Sequence, residues 1–318
     1  MTSVKLALFD TCVDTSPKLF VRGRRLPHRI DSQSRRITLL GYWRATICGV
    51  IRVVHLVSML GVIAVPVFGW FTQDWSGGTT LAVYWFETVA AALLILARIA
   101  LHQRWSPKRG HFDYNAPGNE GGRYRYTVNG RRRRGKPLST YMSSFAVISL
   151  SFSAVHGVFL GAVLLLLNHN GVGHLVQVDW RNVGLGCLSV FAFMTVDFLV
   201  DLTQLRTWPF RQLEQIGSQV LGRVMVVHMT LLIGFLAIAI TDAPDAFFGV
   251  FVVLKTMAQL SSALPQWKPT RPPAWLSNLL NRVPNVHPGK KFEDFWADEQ
   301  SEERQRVAAN ELPWQPHP

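Results

Sequence analysis

Residues Thr79–Leu101 read TTLAVYWFETVAAALLILARIAL, a run whose only formal charges are Glu87 and Arg98. An α-helix rises about 1.5 Å per residue, so about 20 apolar residues cross the roughly 30 Å of hydrocarbon in a bilayer. This stretch is long enough to do so. Working outward, five more stretches have the same character: Val53–Phe71, Ser143–Leu167, Val183–Leu205, Arg223–Thr241 and Ala246–Leu264. Together they predict an all-α fold, a polytopic membrane helical bundle of six transmembrane helices. The last two stretches are separated only by Asp242, Ala243, Pro244 and Asp245. That separator reads as a tight turn, because one continuous helix of the combined length would overshoot the bilayer.

The rest of the chain divides into a basic arm, 1–52, a basic loop, 102–142, and a polar tail, 265–318. Hydrophobic residues make up 48% of the chain and charged ones 17%. The mean hydropathy is only +0.16 because the arm, loop and tail dilute the apolar runs. The formal net charge of +13 also fits nucleic acid, but basic residues collect on the cytoplasmic side of membrane proteins, and the distribution favours that explanation. Under the six-span scheme, 29 Lys and Arg residues fall on one side and a single one, Arg181, on the other. Both termini are therefore expected in the cytoplasm and the chain in the plasma (inner) membrane. The first 38 residues have no apolar core of the signal-peptide kind and read as a retained arm. Cys12, Cys48 and Cys187 lie too far apart to suggest a disulfide framework or a metal motif.

Ionisable residues at membrane depth are costly and mark function or specific packing. An outer layer comprises Glu87, His156 and Lys255, and an inner layer Asp197, Asp201, Arg98 and His228, with His55 at comparable depth. Thr80, Tyr84 and Glu87 fall on one helical stripe, Ser149, Ser153 and His156 on a second, and Lys255, Gln259 and Ser262 on a third. Turned together, these stripes satisfy one another away from lipid, with Arg98 expected to pair with Asp201. Glu87 with Lys255 reads either as a structural ion pair or as a proton or substrate site. A bis-histidine haem would have to use His55 and His228, the only histidine pair at similar depth; cofactor and metal content otherwise remain open. Gly157, Gly161 and Gly234 are expected to permit close helix approach. No P-loop, HExxH or GxSxG motif is present.

Arg131, Arg132, Arg133 and Arg134 lie in the basic loop, which is expected to be mobile and to meet anionic lipid headgroups. In the tail, Ala274, Trp275, Leu276, Leu279, Leu280 and Val283 form a short amphipathic pattern suited to the inner interface, followed by a charged helix from Phe292 to Asn310. A protein partner would be met through the same loop or tail.

The segments Tyr84-Trp85-Phe86-Glu87 and His156-Gly157-Val158-Phe159 resemble the Tyr-Trp-x-Glu and His-Gly-x-Phe segments of an uncharacterised family of prokaryotic multi-pass membrane proteins, a domain of unknown function. The stretches Arg223 to Thr230 and Val253 to Thr256 are similar to its closing helices, and the similarity covers Val53 to Leu264. Ser149 stands where the family would place a further His, which weakens a metal reading. The resemblance implies the six-span body and no activity. Three functions are compatible with these residues: a small transporter or proton-coupled permeation protein, a membrane enzyme with a His/carboxylate site, and a scaffold or accessory subunit.

Overall fold

The computed structural model describes residues 31–117, 125–128, 131–134, 140–169, 177–222, 225, 229, 244–263, 269, 271–282 and 289–315. Helices dominate: α1 (Asp31–Thr72), α2 (Gly77–Trp105), the one-turn α3 (Arg109–Phe112), α4 (Tyr141–His169) and α5 (Trp180–Leu202). A 3₁₀ turn at Leu205–Thr207 leads to α6 (210–222), and α7 (Pro244–Ala263), α8 (Ala274–Leu280) and α9 (Phe292–Glu311) complete the order. Among the described residues, four helical segments are long and apolar enough to cross a membrane: Gly49–Thr72, Gly77–Trp105, Tyr141–Leu166 and Trp180–Leu202. Their outward surfaces carry Val53, Leu60, Val147, Val158, Leu188 and Leu199, all exposed in the protein alone, as a bilayer-facing surface requires.

Capping chemistry fixes one end of the bundle. Ser76 caps α2 by accepting from the Thr79 N–H at 3.1 Å, and Asp179 caps α5 by accepting from the Arg181 and Asn182 N–H groups. The Thr79 hydroxyl accepts from the Asp179 N–H at 3.0 Å, and the Ser76 hydroxyl donates to the Gln177 carbonyl, so the two caps are tied together. Beside them Trp75 packs with Val83 and Val190. A side chain at Gly69 or Gly186 would strike the Trp75 indole.

At the far end Ile95, Ile99, Tyr141, Phe145, Phe210 and Leu213 form a second apolar cluster. The connections therefore alternate: 73–76 and the segment preceding Trp180 lie at one end, and α3, the start of α4 and the 3₁₀ turn at the other. The tail returns to this second end, where the Arg109 N–H donates to the Leu312 carbonyl at 2.7 Å and the Trp314 N–H to that of Pro107 at 3.2 Å. Phe112 stacks on Trp314 with ring centroids 4.5 Å apart.

Several boundaries differ from those read off the sequence. The first helix begins at Asp31 and not near Val53, because hydropathy marks where lipid can begin and not where helical hydrogen bonding begins. The fourth span ends at Leu202, three residues before Leu205, where Thr203 and Gln204 take i−3 bonds and Pro209 follows. In the loop expected to be mobile, Arg125–Val128 pairs antiparallel with Arg131–Arg134, with Arg125 opposite Arg134 and Val128 opposite Arg131. The fifth stretch, 223–241, lies almost wholly outside the described residues. The sixth is helical as α7, with Pro244 at its start, where a missing N–H costs nothing. The charged tail helix expected from Phe292 to Asn310 runs one residue further.

Candidate functional site

Two charged layers sit inside the bundle, separated along α2 by three turns. In the first, Glu87 meets two residues of α7: Lys255 Nζ lies 2.5 Å from Glu87 Oε2, and Gln259 Nε2 donates to Glu87 Oε1 at 2.5 Å. The Lys255 ammonium also sits 3.3 Å from the centroid of the Tyr84 ring, on the same face of α2. Lys255 and Gln259 are 5% and 6% exposed and the Glu87 side chain 13%, so this charge pair is largely removed from the surface. A buried charge needs such a set of partners to offset its desolvation.

His156 is buried on α4 in one stripe with Ser149 and Ser153. Both serine hydroxyls bond back to carbonyls four residues earlier, at 2.6 and 2.8 Å, which leaves their stripe closely packed. The contact between α2 and α4 is made next to His156. The Trp85 indole N–H donates to the Ser153 carbonyl at 2.9 Å, and a Cβ on Gly157 would come within 2.8 Å of the Trp85 nitrogen. Gly157 therefore has the close-approach role read from the sequence. For Gly161 no such approach is seen among the described residues, none of which lies within 4 Å of a Cβ built there. Gly234 lies outside the described residues. Gly61 adds an approach not read from the sequence, because its Cβ would meet the Phe193 ring of α5 at 2.6 Å.

The second layer joins α1, α2 and α5. Arg98 Nε donates to Asp201 Oδ2 at 2.8 Å, and Arg98 Nη2 reaches Asp197 Oδ2 at 2.9 Å and Asp201 Oδ2 at 2.7 Å. His55 completes it: Nδ1 lies 2.6 Å from Asp197 Oδ1 and Nε2 lies 3.4 Å from Asp201 Oδ1. The spacing of Asp197 and Asp201 by one helical turn aims both carboxylates at the same pair of cations. His55 thus occupies the histidine position of this layer, while His228 lies outside the described residues. With both ring nitrogens turned to carboxylates, His55 offers no lone pair to an iron. Among the described residues no group of three His, Cys, Asp or Glu side chains is arranged to hold a metal.

Below the layers, at the tail end of the bundle, lies a cluster that periodicity does not reveal. His102 Nε2 lies 3.0 Å from the Trp208 carbonyl, which can only accept, so that nitrogen carries the hydrogen. His102 Nδ1 then accepts from His111 Nε2 at 2.7 Å, and His111 Nδ1 is left as a buried acceptor without a partner among the described residues. Burial, with the neighbouring His102 ring second, pushes the His111 pKa down to about 3. Nearby, Arg306 of α9 contacts Glu214 of α6 through both oxygens, at 2.6 and 3.1 Å, and Tyr114 donates to the same carboxylate at 2.6 Å. Asn310 closes the contact by binding both the N–H and the carbonyl of Asn115.

A model of a family of unknown function, DUF6498, matches residues 51–274. The chain belongs to the DUF6498 family. The match holds both charged layers of this DUF6498 protein and stops where α8 begins, leaving most of the docked tail outside. No curated protein and no solved structure matches the chain.

Proposed function

We propose that this DUF6498 protein is a six-span protein of the plasma membrane, with both termini cytoplasmic, and that it works as a small transporter or proton-coupled permeation protein. The single observation that carries this reading is His55 held between Asp197 and Asp201, beside Arg98. Two ionised carboxylates and one guanidinium leave one net negative charge; an imidazolium cancels it, and a neutral imidazole turns one lone pair toward a carboxylate. The layer accommodates one proton that can be exchanged, and histidine is the side chain that exchanges it near neutral pH. Glu87 and Lys255 form a second charged station about 16 Å away along α2, from eleven residues at about 1.5 Å each. Between the two, a permeating proton or cation would pass from one balanced set of charges to another.

The orientation is supported by the alternation of the four apolar helices together with the collection of basic residues at the tail end. The two further crossings take residues 223–241 and α7. The test is proton flux into proteoliposomes holding an entrapped pH-sensitive dye, driven by a potassium diffusion potential. Wild-type protein is expected to conduct above protein-free vesicles, and His55→Gln and Glu87→Gln/Lys255→Met to fall at least about tenfold, the effect of losing one proton-transfer group. Flux that is indifferent to all of these substitutions contradicts the proposal.

A further inference from the structure

The tail encloses a cleft of about 650 Å³ between α8 and α9, lined by Arg271, Ser277, Glu293, Trp296, Gln300 and Arg304. A volume of this order suits a small polar ligand or a lipid headgroup. Arg271 and Arg304 are exposed at the cleft and make no ion pair among the described residues. Glu293, the one carboxylate in the lining, accepts from Asn281 Nδ2 at 3.2 Å. The cleft therefore presents two cationic forks, which match a phosphate.

The location identifies the source of that phosphate. α8 buries only Ser277 and exposes Trp275 at 66%, Leu279 at 55% and Leu280 at 37%, an apolar face that no described part of the chain covers. α9 is fastened through Arg109 and Pro107 to the end of α2, and ten residues join α7 to α8. Both attachments hold α8 at the tail-side end of the bundle, where the apolar helices leave the bilayer. A short helix with a Trp and two Leu outward, next to a cationic cleft, is built to lie at the boundary of headgroups and acyl chains.

We propose that the cleft between α8 and α9 binds the headgroup of an anionic phospholipid, with Arg271 and Arg304 on its phosphate and with Trp275, Leu279 and Leu280 among the acyl chains. The proposal needs the tail to lie against the bilayer and is independent of any transport activity.

Native mass spectrometry of the detergent-purified full chain, titrated separately with phosphatidylglycerol and phosphatidylcholine, tests it without reference to which way the tail faces. Wild-type protein is expected to bind one phosphatidylglycerol in preference to phosphatidylcholine. Arg271→Gln/Arg304→Gln should weaken that binding about 25-fold, from about 1 kcal/mol per basic residue near a lipid surface. Lys290→Gln/Lys291→Gln removes the same charge outside the cleft and should change binding less than about twofold. Equal loss in the two double variants means nonspecific charge and overturns the site, as does unchanged binding in Arg271→Gln/Arg304→Gln. Full displacement of phosphatidylglycerol by inorganic phosphate at equal concentration means a site for soluble phosphate and overturns the lipid assignment.

Discussion

At the residue scale, buried charges in this protein come with their partners, and the consequences of separating them follow from desolvation. Lys255→Met leaves Glu87 with Gln259 alone. Removing one member of a buried pair costs about 3–5 kcal/mol, whereas replacing both members is often neutral. Lys255→Met is therefore expected to lower the thermal midpoint in detergent sharply, and Glu87→Gln/Lys255→Met to recover most of it. The recovery separates a packing defect from a charge defect.

The His102 and His111 pair makes a prediction of a different kind, because the His111 pKa falls to about 3 on folding. The folded form then carries no proton on His111 at a pH where the unfolded chain does. Its contribution to stability is complete above the ordinary histidine range near 6.5 and is lost as pH falls from there toward 3, by up to about 1.4 kcal/mol per pH unit. Unfolding measured between pH 7 and pH 4 should show this slope in the wild type and a shallower one in His111→Asn. Equal slopes would mean that the pair is not buried as described.

At the element scale, the glycines of the bundle predict opposite signs for the same substitution. A Cβ at Gly157 meets Trp85 at 2.8 Å, and one at Gly61 meets Phe193 at 2.6 Å, so either change to Ala forces a ring to move. Overpacking of this kind costs about 1–3 kcal/mol. Among the described residues nothing meets a Cβ at Gly161, so Gly161→Ala removes backbone freedom without a clash there and should stabilise its helix by about 0.5–1 kcal/mol. Thermal midpoints of the three Ala variants check the contrast. In the sequence the three residues look alike, each a glycine in an apolar run. What separates them is the residue on the facing helix, which no spacing along one helix reports.

The helices themselves were legible, since length and apolar composition are local properties, and the stripes of Thr80 and Tyr84, of Ser149, Ser153 and His156, and of Lys255 and Gln259 are buried as their spacing implies. The start of α1 was not, because its first turns are polar and helical at once.

At the scale of the whole molecule, the tail closes the end of the bundle at which α2 and α5 finish. Arg306, Glu214, Tyr114 and Asn310 make that closure polar and specific. Arg306→Ala strands Glu214, which is about nine-tenths buried, and should cost about 2–4 kcal/mol at this contact. Hydrogen exchange should show the amides of α9 losing protection while those of α2 keep theirs; simultaneous loss in both would mean that the tail is part of one cooperative core.

The pairing of Arg98 with Asp201 could be anticipated from depth alone. The approach of His55 from α1 could not, because its distance from Asp197 in sequence hides the 2.6 Å contact. Nor could the position of the tail, whose contacts with α3 and α6 join segments far apart in the chain. These long-range contacts gather isolated polar residues into two charged layers, and the proposed function depends on the inner one holding an exchangeable proton. The most direct measurement is the number of protons taken up by the purified full chain between pH 8 and pH 5, by potentiometric titration, compared with His55→Gln and with Asp197→Asn. His55→Gln is expected to take up about one proton fewer than the wild type, and Asp197→Asn, which removes one carboxylate partner of His55, to change the pH at which that proton is taken up. Uptake by His55→Gln equal to that of the wild type, with the fold intact, would contradict it.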